Sequence, residues 1–144
     1  MKLGSGHRKS AFTLIEVVIV IAIIGIMAAL VISAFSNAAH DTRRVVARQQ
    51  QAAVQSAVNA WVAATIDYNT TVAEARAEYN GKADSLARVA LVSAYLDDTT
   101  YEHFVESTTV NSKVESAALS KTSQYLNLPD WSGSSYPKVI LTTN

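Results

Sequence analysis

The sequence predicts an α+β protein: a long N-terminal α-helix packed on a small globular head with short helices and a few short β-strands. Three observations predict it. No charged side chain occurs from Val17 through Ala39, 23 positions in succession. Neither proline nor glycine occurs from Asn37 to Ile66, where alanine, glutamine, arginine and valine dominate. Beyond Asp67 the pattern breaks into short apolar clusters separated by turn-forming residues.

The uncharged run comes first. Between Val17 and Phe35 every residue is apolar except Gly25 and Ser33. As a helix the 23 residues reach roughly 34 Å, enough to cross a hydrocarbon core. Lys2, Arg8 and Lys9 precede the run, which predicts a cytoplasmic N-terminus and an exported C-terminal part. A secretory signal peptide is the plainest alternative, and Ser36-Asn37-Ala38 offers a small-x-small cleavage site. The run is long for a signal peptide, and Glu16 stands just inside its front end. An acid in an apolar segment costs about 2.5–3.5 kcal/mol at a helix centre and less near the interface, so its presence suggests a purpose.

The stretch Ser10-Ala11-Phe12-Thr13-Leu14-Ile15-Glu16, followed by the apolar run to Leu30, resembles the N-terminal signature of type IV prepilins and secretion-system pseudopilins. The resemblance covers residues 10 to about 32. It implies a structural, non-enzymatic subunit of a type IV pilus or of a pseudopilus such as that of type II secretion. It implies that a prepilin peptidase removes a basic leader between Ala11 and Phe12, that Phe12 is N-methylated, and that Glu16 serves assembly. The partners it implies are copies of the chain or homologous pilins, the peptidase, an inner-membrane assembly platform and the lipid bilayer. The protein then begins as a single-pass protein of the inner membrane and ends in an extracytoplasmic filament. Two positions depart from the family pattern. Ala11 stands where glycine is usual before the cut, and Ser33 stands where many major pilins carry a proline. On this reading residues 1–11 are the leader, 12–36 the membrane and assembly part of the helix, 37–67 its amphipathic extension, and 68–144 the head.

The chemistry of the signature also follows from its residues. Cutting before Phe12 removes three cations and creates one α-amine. Phe12 and Glu16 are four apart and share a helix face. A carboxylate near a helix N-terminus is favoured by the macrodipole, yet in apolar surroundings it still needs a cation. The amine of its own chain or of a neighbour can supply one, and a neighbour's amine would fix axial register. The plain reading places Glu16 at the headgroup level, solvated. A simple membrane anchor carrying an unpolymerised extracytoplasmic binding module is the alternative to the filament subunit.

The helix is predicted to continue from about Phe12 to about Ile66, roughly 80 Å at the standard rise. Ala47, Val54, Val58, Trp61 and Thr65 recur near 3.6-residue spacing, widened by Ala57 and Val62, and this stripe faces the head. Arg43, Arg48, Gln49, Gln55 and Asn59 mark the solvent side. Arg43, Arg44 and Arg48 also suit lipid headgroups or acids of a neighbouring subunit, although a solvated face is the default. In the head, residues 72–79 predict a short helix ended by Asn80-Gly81, and Asp84 or Ser85 caps a second reaching Leu96. Asp97 to Thr100 reads as a turn. Residues 101–105 and 108–110 read as strands, 114–128 as a helix stopped by Pro129, and 139–142 as a last strand.

Composition narrows the function classes. The chain has 144 residues with 12 basic and 12 acidic side chains. From residue 68 onward six basic residues face nine acidic ones, which does not make the concentrated positive face of a nucleic-acid binder. Cysteine is absent, which excludes disulfides, thiolate nucleophiles and cysteine-ligated metals. No nucleophile elbow, phosphate-binding glycine loop or paired-histidine zinc motif occurs, so no catalytic residue and no cofactor is expected. Glu102, His103 and Glu106 are more simply read as solvated than as a cation site, and Asp97-Asp98 lacks the oxygen ladder of a calcium loop.

Overall fold

A stretch of 52 residues with no proline and a single glycine, Gly25, forms helix α1, Leu14–Thr65. The computed structural model describes residues 12–67 and 69–144; the leader with Ala11, and Tyr68, lie outside the described residues. Gly25 and Ser33 do not interrupt α1. The chain divides within this helix into two units, one ending at Ala39 and the other comprising His40–Asn144.

In the first unit every described residue is exposed, including Phe12, Leu30 and Phe35 at 85, 68 and 74 %. A continuous apolar surface of this kind has no place in water, because burial of such side chains is the main favourable term in folding. By length and composition α1 is the one helix among the described residues that can cross a membrane.

The second unit has its own core. Ala47, Val54, Ala57, Val58, Trp61 and Val62 of α1 are buried, the predicted stripe, with Thr65 half-buried at its end. Against them pack α2 (Val72–Asn80) through Ala75 and Tyr79, and α3 (Ser85–Leu91) through Val89. Helix α4 (Asp98–Ser107) adds Phe104, and α5 (Ala117–Ser120) adds Leu119. Strands β1 (Gln124–Asn127) and β2 (Ile140–Thr143) form a two-stranded antiparallel sheet with Leu126 opposite Leu141. An isolated bridge from Val114 covers the other edge of β1 at Leu126, with bonds of 3.0 and 2.8 Å.

Local chemistry explains the starts. Thr71 caps α2 and exchanges bonds with Glu74, a complete capping box, while Asp84 caps α3 through the Ala87 N–H. Gly81 ends α2 with ordinary helical φ of −68°, not the left-handed cap that an Asn-Gly pair suggests. The glycine serves clearance instead: a Cβ there would meet the Ala77 carbonyl at 3.1 Å.

Several head expectations are corrected. Residues 101–105 are helical, not extended, and Asp97 to Thr100 is the start of α4. Asp97 accepts the Thr100 N–H as N-cap, and one side of the helix buries Phe104. Aromatic and β-branched residue types suggested a strand there, but the cap and one-sided burial outweigh that weak preference. Residues 108–110 form no strand beyond a bridge from Val110 to Lys113. Of residues 114–128 only Ala117–Ser120 is α-helical; Ser123 then takes φ 53° and β1 follows, because Leu126 is paired on both sides. Gln55 is not a solvent-side residue. Its amide nitrogen donates to the Pro137 carbonyl at 2.9 Å and its oxygen accepts the Val139 N–H at 2.8 Å, so it pairs with that segment as a strand would.

Candidate functional site at the start of the long helix

The site begins with the residue before the helix. Thr13 is the N-cap of α1: its hydroxyl accepts the Glu16 N–H at 3.3 Å, and its carbonyl accepts the Glu16 and Val17 N–H groups at 3.1 and 3.3 Å. Glu16 replies. Its Oε2 accepts both the Thr13 N–H and the Thr13 hydroxyl at 2.8 Å each. This is a capping box, the same arrangement as Thr71 with Glu74. It satisfies donors at an exposed helix start and places the carboxylate where the macrodipole favours negative charge. The spacing Thr-x-x-Glu before an apolar run announces such a box, so Thr13 was legible in the sequence but was not singled out there.

Among the described residues Glu16 Oε1 accepts no hydrogen bond. Phe12, 85 % exposed, precedes the box, and with Glu16, Val17, Val20 and Ile21 it lines one shallow hollow on the helix. Phe12 and Glu16 thus line the same side, although Phe12 stands before the helix and its N-cap. Ala11, the residue before the expected cut, lies outside the described residues. The arrangement offers one carboxylate oxygen and an apolar hollow to an incoming cation and apolar chain; it contains no nucleophile–base pair.

The other candidates fall apart. Glu102, His103 and Glu106 are all exposed on α4, and no group of three or more His, Asp or Glu among the described residues is arranged to hold a metal. Asp97 is engaged with its own helix start. The Thr99 hydroxyl and then the Thr100 N–H hold its carboxyl below the usual range.

A helix that starts in a Thr-x-x-Glu box and exposes an unbroken apolar surface is consistent with a membrane-anchored protein. The family model described as the prokaryotic N-terminal methylation motif matches residues 6–32. The chain therefore carries the prepilin-type signature of type IV pilins and pseudopilins, which supports a pilin-like or pseudopilin precursor. No curated protein and no solved structure matches the chain.

Proposed function

We propose that the chain is the precursor of a structural subunit of a type IV pilus-like or pseudopilus filament. The observation that carries this reading is the methylation motif at residues 6–32, with Phe12 and Glu16 four residues apart on one side at the start of an exposed apolar helix. Prepilin peptidase cuts between Ala11 and Phe12, Phe12 is N-methylated, and residues 12–36 hold the subunit in the inner membrane with its N-terminus in the cytoplasm. Residues 37–67 carry the helix outward to the head, 68–144. An assembly platform then moves the subunit into a filament with copies of itself or homologous pilins, where Glu16 Oε1 receives the α-amine of a neighbour. An amine in apolar surroundings needs such a partner, and the pair sets the step between subunits.

Glu16→Val tests it. The filament reading expects the variant to insert and to lose sheared filaments. If normal filaments are recovered, the alternative of an anchored, unpolymerised binding module takes its place, since an anchor gains by losing the acid.

A further inference from the structure

Helix α4 turns two parallel stripes outward. Glu102 and Glu106, one turn apart, are fully on the solvent side, opposite buried Phe104, with Asp98 a turn earlier. Beside them Tyr101 and the 45 % exposed Val105 open into a shallow hollow that continues over Leu86 and Ala90 of α3. The helix contains no lysine or arginine, and among the described residues no ion pair reaches Glu102 or Glu106.

The outer part of α1 carries the opposite pattern. Arg44 and Arg48, also one turn apart, are exposed, and Val45 between them is 55 % exposed. At 100° per residue Val45 stands opposite the stripe of Val54, Val58 and Trp61 that α1 buries. Neither arginine forms an ion pair among the described residues. Asp41 shares this side, and its single charge leaves the two arginines in excess. Each surface thus holds an apolar centre flanked by charges repeating every four residues, about 6 Å along the axis, and the charges are opposite in sign.

We propose that the α3–α4 hollow of one copy receives the outer side of α1 from a second copy, within the filament described above and resting on that reading. Val45 enters between Tyr101 and Val105, while Arg44 and Arg48 meet Glu102 and Glu106. One contact then covers Val45, Tyr101 and Val105 and matches charges that form no ion pair among the described residues. The two surfaces differ, so the contact is head-to-tail and repeats from copy to copy; such contacts extend into helical filaments when they do not close into rings. Lipid headgroups are a poorer match for the arginines, because they leave both Val45 and the α4 acids unmet.

The chain has no cysteine, which makes crosslinking decisive. Full-length chain carrying Val45→Cys with Val105→Cys, produced with its processing and assembly machinery and oxidised in sheared filaments, should give a ladder of multimers. Each single substitution should stop at dimers or give none. Separately, Arg44→Glu with Arg48→Glu should cut filament yield roughly tenfold, as two exposed pairs turn repulsive. Adding Glu102→Arg with Glu106→Arg should restore it. Filaments without a ladder, or no restoration by the second reversal as lipid contact requires, would overturn the inference and leave the filament reading standing. Failure of the unmodified chain to form filaments would overturn both.

Discussion

The Glu16 carboxylate divides its oxygens: Oε2 closes the capping box with Thr13, and Oε1 accepts no hydrogen bond among the described residues. That division separates the local role from the proposed assembly role. Glutamine also closes a capping box, so Glu16→Gln keeps the helix start while removing the charge. If the neighbour's amine needs that charge, Glu16→Gln should lose sheared filaments as Glu16→Val does; normal filaments from the glutamine variant alone would reduce the acid to a cap. Tyr79 presents a different problem. It is fully buried, its hydroxyl has no partner among the described residues, and desolvation pushes its pKa up to about 12, against the attraction of the Arg88 guanidinium. Because the folded pKa exceeds the unfolded value near 10, this group's contribution is whole below pH ~10 and is lost as pH rises through ~12. Tyr79→Phe should therefore leave the melting temperature at pH 7 unchanged or raised, and flatten its fall above pH 10.

Among the elements, the outer part of α1 and the segment before β2 depend on each other. Gln51 donates to the Val139 carbonyl at 2.9 Å, Gln55 takes both Pro137 and Val139, and the hydroxyl of Ser116 donates to Gln50 at 2.7 Å. Trp61 lies 6.1 Å from Tyr79, which meets Trp131 edge-on at 6.4 Å. Trp61→Ala should cost about 3–5 kcal/mol, the usual range for a buried tryptophan. Gln55→Leu should cost about 2 kcal/mol by leaving a backbone N–H and a carbonyl unmet. Thermal melting of residues 40–144, which contain the whole described core, measures both; equal stability of Trp61→Ala and wild type would mean that this helix does not hold the head. Arg88 anchors the same region from α3. Only 7 % exposed, it donates to the Leu128 carbonyl at 2.5 Å, pairs with Asp130 and lies over the Tyr79 ring at 5.2 Å.

For the molecule as a whole, the proposed function begins with a cut between Ala11 and Phe12. Mass spectrometry of membrane or filament protein should find an N-terminal methylated Phe12, and Ala11→Leu should accumulate precursor because a bulky residue replaces a small one beside the cut. An N-terminus retained at Met1, or found at Ala39, would remove the pilin reading.

The long helix, its apolar first part, its buried stripe and the Phe12–Glu16 spacing could be read from the sequence alone. Each is a local property: an unbroken apolar run needs no tertiary partner to be recognised, and helical periodicity survives whatever the helix packs against. The capping box was equally local, in Thr13-x-x-Glu16, and lay unremarked under the stronger apolar signal. The starts of α2 and α3 and the place of β2 were local too. What the tertiary structure decided was the rest of the head. Residues 101–105 have strand-forming types, yet burial of Phe104 on one side and the Asp97 cap make them helical. Residues 124–127 pass for helix until Val114 and β2 supply pairing on both edges. Gln55 looks solvent-facing until the 137–139 backbone arrives to meet it. Short segments carry too little intrinsic preference to resist such contacts, because propensities amount to fractions of a kcal/mol per residue while each burial or backbone pair contributes more.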